Sequence, residues 1–450
     1  MKILICSKLF YPSNRIGAVR PSNFAKYLAL LGLEVVVITD KKEIEKEFIL
    51  SNVEIVRISG SHSVNKIITK ITKRSVSKKN QKLEVDATIK VSKSKVHNII
   101  KKIKIRIRHY SRELFTLVIE LNWYFKARKH IKKHYKSSSF DLVLSSYGPL
   151  SPFLLAKFVK KEKIATYWIS DFRDNMRFEG YSFWLNEFMK LCEKRALKKT
   201  DAITFVSNDQ RAMFLDNLKV KDIQKQKIHT IYNGYEDEIN NRKKTKKNNN
   251  ILKILYTGQL YKGVRDFSLL FNVIDDLIHE GKLDEKKIEI QYAGHDSNEF
   301  NAQMNKFKNI KNICTNLGFI DRDIAIKLQN KCDILVVLTW NTNKSKGNLT
   351  GKFLEYLEAQ KPIISLTTGG LSNGELTRLV KELNIGIACE YNNYDVDYLK
   401  LKKYIFNQYN SLVNNNQLDF KPNNNLIKKF HYKSISKELL DLIYSITKMV

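Results

Sequence analysis

No apolar run in the chain approaches the roughly 18 residues that a bilayer span demands, which excludes a transmembrane helix. The first residues, MKILICSKLF, read as a strand and lack the basic, apolar and small-residue order of a secretion signal. The expected location is the cytoplasm, on or off the inner face of a membrane. Cysteine is sparse: Cys6, Cys192, Cys314, Cys332 and Cys389 form no CxxC pair. That excludes a paired-cysteine zinc site and suits reduced thiols. No GxGxxG follows the first strand, so a dinucleotide cofactor is not expected. Acid is also in short supply, with 46 Asp and Glu facing 79 Lys and Arg, a formal net charge of +33.

The cationic excess is concentrated. Residues 61–140 hold 22 Lys and Arg against 4 Asp and Glu, a local +18 and more than half of the total. Such a segment attracts polyanions, either an anionic membrane surface or nucleic acid, and a solvated insertion is the plainer reading. Within it, RELFTLVIELNWYFKARKHIKKHYK sets Trp123, Tyr124 and Phe125 ahead of a basic tail. An interfacial membrane helix has that make-up, with rings at headgroup depth and cations against anionic lipid. A core helix running into a basic surface has it too.

At 450 residues and 43% hydrophobic content the chain can bury two cores. Lys2–Cys6 reads as a buried strand, Pro21–Leu31 as a helix stopped by Gly32, and Glu34–Thr39 as a second strand. This is the opening of a doubly wound α/β domain. Gly17 lies in the loop before the helix and Arg20 at its entrance. Further on, strands DLVLSS and ATYWIS lead to DFRDNM, which sets Asp171, Arg173 and Asp174 at a strand's carboxyl end, where open parallel sheets place ligands. Two carboxylates and an Arg there position a hydroxyl or accept its proton, or else form a salt bridge that orders the loop. A helix over Tyr181–Lys198 and strands AITFVS and KIHTIYNG follow. The polar stretch EDEINNRKKTKKNNN then reads as a linker.

A second domain opens with ILKILYTGQLYKGVRDFSLLFNVI. Its first strand ends at Gly258, and the loop carries Lys262, Gly263 and Arg265, cations suited to a departing diphosphate or to solvent. The segment NLTGKFLEYLEAQKPII, residues 348–364, is the most informative in the chain. Thr350 and Gly351 open a helix, Phe353, Leu354 and Leu357 give it an apolar stripe, and Lys361-Pro362 ends it. Its N-terminus offers backbone N–H groups and partial positive charge, so Thr350, Gly351 and Lys352 are placed to cradle a diphosphate. Glu355, one turn on, is placed to accept from ribose hydroxyls; an ordinary dipole-stabilising acid would sit there as well.

The stretch TGKFLEYLEAQKPI resembles the "GK-x-F-E-Y-hydrophobic-x-x-x-K-P-hydrophobic" segment of family 4 glycosyltransferases, which have the GT-B architecture. TGQLYKGVRD, GAVRP and WISDFRDNM are similar to further segments of that family. The resemblance implies an α/β fold of two doubly wound, Rossmann-like domains facing a cleft. The expected boundaries are 1–235 for the acceptor-side domain with its basic insertion at about 61–140, 236–250 for the linker, 251–429 for the donor-side domain, and 430–450 for a terminal helix crossing back to the first. It further implies that Glu355 binds the donor ribose and that Gly17, Gly258, Lys262, Arg265, Thr350, Gly351 and Lys352 surround the diphosphate and sugar. The loop at Gly318, Phe319 and Ile320 is expected to hold the base, and Arg20 and Arg173 to stand on the acceptor side. Asp171, Asp174 and Arg265 are the expected catalytic residues. The chain departs from the family at Gly347, where many members carry a second Glu, at Gln259, where many carry Arg or Lys, and at Asn175-Met176, which replaces Pro-Trp.

By this resemblance the chain moves a sugar, with retention, from a nucleotide diphosphate sugar to an acceptor hydroxyl. The acceptor is expected to be a lipid-linked saccharide in capsule, O-antigen or exopolysaccharide assembly. No DxD motif stands in a strand-end loop, so neither metal nor cofactor is expected. The partners are the donor, the acceptor and an anionic membrane surface reached through residues 61–140, with no specific nucleic acid. A nucleotide-sugar 2-epimerase of the same fold and a non-catalytic polyanion-binding protein are the alternatives.

Overall fold

A computed structural model describes residues 1–13, 15–41, 52–60, 95–236, 250–343 and 345–447, with side chains described from residue 106 onward in the helix that begins at Lys95. Residues 61–94 of the basic segment and 237–249 of the expected linker lie outside the described residues.

The chain divides into two compact units. The first comprises Met1–Thr204, Asp222–His229 and Leu440–Val450, and the second Phe205–Lys221 and Thr230–Leu439. The first is built on strands β1 (Lys2–Cys6), β2 (Glu34–Asp40), β3 (Val53–Ile58), β4 (Phe140–Tyr147), β5 (Ala165–Phe172), β6 (Ala202–Phe205) and β7 (Ile228–Thr230), in the order β3-β2-β1-β4-β5-β6-β7. β1, β2 and β4 are almost continuous runs of Val, Ile and Leu because helices cover both sheet faces, which is the signature of buried parallel strands. The pairings β1–β2, β1–β4 and β4–β5 are all parallel. The chain walks outward from β1 to β3 and then returns to β4 on the other side, so strand order reverses between β1 and β4.

Helix α1 spans Ile16–Leu30, five residues longer at its start than the expected Pro21–Leu31. Proline ordinarily disrupts a helix interior because it has no N–H for the carbonyl four residues back. Here that carbonyl is Gly17's, and it accepts instead from Arg173 Nη1 at 2.6 Å. A distant side chain thus replaces the bond that Pro21 cannot make, and the helix continues through it.

Helix α2, Lys95–His134, contains the aromatic stretch. At 100° per residue consecutive rings diverge onto different faces. Trp123 is fully buried, with Ala127 and Ile131 one and two turns on, whereas Phe125 is 56% exposed. Trp123 lies against Gly60, where an added Cβ would approach within 2.7 Å of the indole. Its second half is therefore a core helix. Helices α3 (Ser151–Lys161) and α4 (Phe183–Lys199) also belong to this unit.

The second unit's sheet, in the order β10-β9-β8-β11-β12-β13, consists of β8 (Leu252–Thr257), β9 (Ile288–Ala293), β10 (Cys314–Asn316), β11 (Ile334–Trp340), β12 (Ile363–Thr368) and β13 (Gly386–Glu390). Its order reverses between β8 and β11. Around it lie α5 (Asn208–Leu218), α6 (Ser268–His279), α7 (Ser297–Met304), α8 (Arg322–Lys331), α9 (Gly351–Ala359), α10 (Glu375–Glu382) and α11 (Tyr394–Asn415). A ladder of Tyr292, Phe300, Phe267 and Phe271 fills the core beside α6, with ring centroids 4.6–5.6 Å apart. Each such ring contributes about 1.5–3 kcal/mol relative to exposure. Helix α12 spans Tyr432–Thr447. Among the described residues no helix is long and apolar enough to cross a membrane.

Candidate functional site

In a doubly wound sheet the loops at the reversal point splay apart and leave a crevice at the strands' carboxyl ends. Both units put their sequence-predicted residues there.

In the first unit the edge is formed by the residues after β1, β4 and β5. Asp171 is fully buried and accepts from Arg20 Nε at 3.0 and 3.2 Å, Arg20 Nη2 at 2.8 Å and Thr204 Oγ1 at 2.7 Å, with Ser146 Oγ at 3.4 Å. Arg20 is 1% exposed and covers the Phe24 ring. Arg173 reaches into neighbouring segments. Its guanidinium donates to three carbonyls, Tyr147 at 3.2 Å, Gly17 at 2.6 Å and Gly148, and so pins the start of α1 and the turn after β4 to the end of β5. The space left by Gly17 is filled by this guanidinium, since an added Cβ would lie 2.5 Å from Nη1. Asp174 alone of the two carboxylates is open to solvent. Protein atoms crowding around it raise its pKa above the ordinary value; Arg173 pulls the other way and Asp171 reinforces the rise. Gly148, with φ +100°, passes so close that a Cβ there would meet the Asp174 carboxylate at 2.6 Å.

In the second unit Gly258 adopts φ +152° at the end of β8, and the loop turns through Tyr261 and Gly263, both with positive φ. Lys262 is exposed at the tip of this turn. Arg265 folds back beneath it, donating through Nη1 to the Gln259 carbonyl at 2.6 Å and to Tyr256 Oη at 3.2 Å. Its guanidinium lies over the rings of Tyr261 (4.7 Å) and Trp340 (5.6 Å), and its Nε is buried without a partner. The Trp340 carbonyl, at the end of β11, accepts from Asn348 in the loop that leads to α9.

Thr350 is the N-cap residue of α9, yet its side chain makes no capping bond, and its Oγ1 is buried without a partner. Gly351 and Lys352 are the first two residues of the helix. Lys352 Nζ reaches Glu355 Oε2 at 2.7 Å, and Arg322 Nη2 stands 3.6 Å from the other oxygen. Tyr356 Oη meets Thr257 N and Oγ1 at 3.2 Å, and Gln329 bridges Thr257 to Glu355, so the helix start is held against the end of β8. The Cβ of a residue at 294 would lie 2.1 Å from the Gly258 carbonyl, and Gly294 N donates to the Gly318 carbonyl at 2.8 Å. Three successive strand-end loops therefore touch. The third carries Ile320 and Phe319; the latter is 64% exposed and stacked on His295 at 4.2 Å.

Gly347 has φ +68°, and a Cβ there would fall 2.2 Å from Ser207 Oγ and 2.8 Å from Gln210 N. The backbone at this position leaves no room for the carboxylate that many family members carry. Sequence reading did not find Tyr261, Trp340, Gln329 or His295. Trp340 alone left a trace, as an aromatic ending an otherwise aliphatic strand.

A family model described as Glycosyltransferase Family 4 matches residues 89–239. No curated protein matches the chain. Among solved structures it resembles an alpha,alpha-trehalose-phosphate synthase (UDP-forming) from Burkholderia vietnamiensis, at 10% identity over 100% of this chain and 99% of that one, with a TM-score of 0.61. A sucrose-phosphate synthase from Thermosynechococcus elongatus aligns at 12% identity over 100% of both chains, TM-score 0.58. The S. aureus protein TarM, solved with UDP, alpha-GlcNAc-glycerol and fondaparinux, aligns at 12% identity over 98% of this chain and 99% of that one, TM-score 0.55. These likenesses show the fold, a two-domain α/β architecture of the GT-B kind. The family match supports a transferase of the glycosyltransferase class, in agreement with the resemblance read from TGKFLEYLEAQKPI.

Proposed function

We propose that the chain is a retaining glycosyltransferase that moves a sugar from a nucleotide diphosphate sugar to an acceptor hydroxyl, the acceptor being a lipid-linked saccharide of surface polysaccharide assembly at the inner face of a membrane. The observation that carries the donor side is the start of α9, where a buried Thr350 hydroxyl has no partner beside a helix N-terminus and the Lys352–Glu355 pair. A polar group left unsatisfied in the interior is costly unless a ligand completes it. A diphosphate does so, since helix N–H groups and a cation favour it there. Glu355 then exchanges Lys352 for the ribose hydroxyls.

As the bond from anomeric carbon to oxygen breaks, the leaving diphosphate gains negative charge and the sugar gains positive charge. Arg265 and Lys262 stabilise the former more in the transition state than in the ground state, which is what lowers a barrier. The rings of Tyr261 and Trp340 keep the Arg265 guanidinium in place. On the acceptor side Asp174 orients the incoming hydroxyl or accepts its proton, and its raised pKa suits that exchange. Asp171 and Arg20 position the loop from below. No metal or cofactor enters this reading, and the TarM and trehalose-phosphate synthase structures give precedent for UDP in this fold.

The test is the melting temperature of the native chain and of Glu355→Ala against UDP, GDP, dTDP and CMP sugars. A donor at one hundred times its Kd stabilises the fold by about 2.7 kcal/mol. One donor should raise the native melting point and leave the variant unmoved. No shift with any donor, together with steeply salt-dependent nucleic-acid binding, would replace this reading with a polyanion-binding protein.

A further inference from the structure

Three stretches of the second unit close a ring: the start of α5, the start of α10 and the loop 341–350 that leads into α9. The two helix starts cap each other. Glu375, the first residue of α10 and 3% exposed, accepts from Asn208 N at 2.8 Å, Asp209 N at 2.9 Å and Tyr232 Oη at 2.7 Å. Asp209 on α5 returns the bond, accepting from Glu375 N at 3.0 Å and from Arg378. The loop rests on both helices. A Cβ on Gly374, just before α10, would lie 3.0 Å from Asn341 Nδ2, and a Cβ on Gly347 would meet Gln210 N of α5 at 2.8 Å.

The sequence Ser207-Asn208-Asp209-Gln210 has the spacing of a capping box, in which the glutamine side chain turns back to the helix start. Only half of it forms. Ser207 Oγ accepts from Gln210 N at 3.1 Å, but Gln210 Oε1 is buried with no partner among the described residues. Glu375 serves the two N–H groups between them, and the Gln210 amide stays out of the cap. Asn341 shows the same shortage: its Nδ2 donates to the Leu371 carbonyl at 3.3 Å, and its Oδ1 is buried and unpartnered among the described residues. Gln210 and Asn341 are 7% and 6% exposed, so water does not readily supply what is missing. Buried acceptors are ordinarily paired, and both of these border the loop that ends at Thr350, whose own hydroxyl wants a partner.

We infer that this ring is the subsite for the sugar of the donor, that Gln210 Oε1 and Asn341 Oδ1 accept hydrogens from it, and that the ring selects an uncharged sugar over a hexuronate. The inference rests on the donor reading above and deepens it by naming the sugar class. A sugar hydroxyl or an acetamido N–H brings the hydrogen that an amide oxygen lacks, whereas an ionised carboxylate carries acceptors only and would face those oxygens unpaired. A site built to hydrogen-bond a substrate group rejects an analogue without it, because its own polar atoms are then left wanting. Glu375 and Asp209 are positioning residues: their exchanged caps hold the first turn of α5, and with it Gln210, against Gly347.

The experiment is calorimetric titration of the full chain with the bare, uncharged-sugar and hexuronate forms of the nucleotide that the thermal-shift panel selects. For uridine these are UDP, UDP-glucose, UDP-N-acetylglucosamine and UDP-glucuronate. The native chain should bind an uncharged nucleotide sugar about tenfold or more tightly than the uronate. Gln210→Met should weaken the nucleotide sugar about 10–100-fold and leave the bare nucleotide unchanged, which also certifies the fold. Gln210→Glu keeps an acceptor in place and should retain the uncharged sugar. Glu375→Ala should produce a loss of the same kind, and Gln210→Met/Glu375→Ala little more than either alone, since one residue acts through the other. In the native chain, equal affinity for the uncharged and uronate forms, or preference for the uronate, overturns the sugar class. Nucleotide-sugar binding undiminished in Gln210→Met overturns the subsite, as does an equal loss of bare nucleotide and nucleotide sugar, which makes Gln210 a structural residue. In those cases nucleotide binding persists and the donor reading stands, whereas a native chain that binds no nucleotide removes both.

Discussion

The two sheets present the same kind of edge and treat it in opposite ways. At the first, the chain satisfies itself: Asp171 takes Arg20 and Thr204, and Arg173 takes three carbonyls, leaving Asp174 to face solvent. At the second, the chain leaves groups incomplete, with Thr350 Oγ1 and Arg265 Nε buried and unpartnered and Lys352 resting on Glu355. A neutral, hydrogen-bonding acceptor needs a shaped edge and one accessible carboxylate. A diphosphate needs an edge whose own charges and donors are not already spent. Under the function proposed above, that difference in satisfaction sets a positioning scaffold apart from a binding site.

The comparison breaks most visibly at Arg20. Arg20→Met strands the Asp171 carboxylate in the interior and should destabilise the fold by about 3–5 kcal/mol, read by denaturant unfolding. Arg20→Met/Asp171→Leu should recover part of that loss. If Arg20→Met left stability intact and abolished acceptor use instead, the first edge would be a binding site and the contrast would fail.

Arg265→Ala is the complementary case. It should lower kcat about 100–1000-fold with a small change in stability, since the group acts on charge that develops in the transition state. Steady-state kinetics with the donor found by thermal shift, set beside the unfolding curve, reads both.

A smaller effect sharpens the account of the first edge. Glu193, buried beneath the acceptor loop, has its pKa raised to about 7 by burial, against the pull of Arg177 at 2.8 Å. Its protonated form is favoured in the folded chain, so the stability it contributes is full below the unfolded value near 4.5 and is lost as pH rises through about 7. Wild-type stability should fall by about 3 kcal/mol more than that of Glu193→Gln between those limits, measured as ΔG of unfolding against pH. Parallel curves would show that Arg177 fully compensates the burial.

Much of the donor edge could be read in advance because its signals are local. Thr350-Gly351 before an apolar stripe specifies a helix start, and TGQLYKGVRD encloses a turn with cations in ten residues. The acceptor edge was read less well. DFRDNM does not by itself reveal that Asp171 bonds Arg20, 151 residues away, or that Arg173 reaches the Gly17 carbonyl across 156. The helix start expected at Pro21 falls at Ile16 instead for the same reason, since the group that relieves proline's missing N–H is Arg173, just after β5. The composition of the run Trp123-Tyr124-Phe125 fits an interfacial helix and a core helix alike, and only helical geometry sends Trp123 into the core and Phe125 to the surface.

The sequence by itself determined the alternation of buried strands and helices, the glycines at strand ends and the cationic loops, because each depends on the conformational preferences of a few adjacent residues. Only the tertiary structure decided which charges are already neutralised, which polar atoms are left wanting a partner, and which apolar side chains remain outside. Those properties depend on what lies across space from each group, and residues distant along the chain supply it.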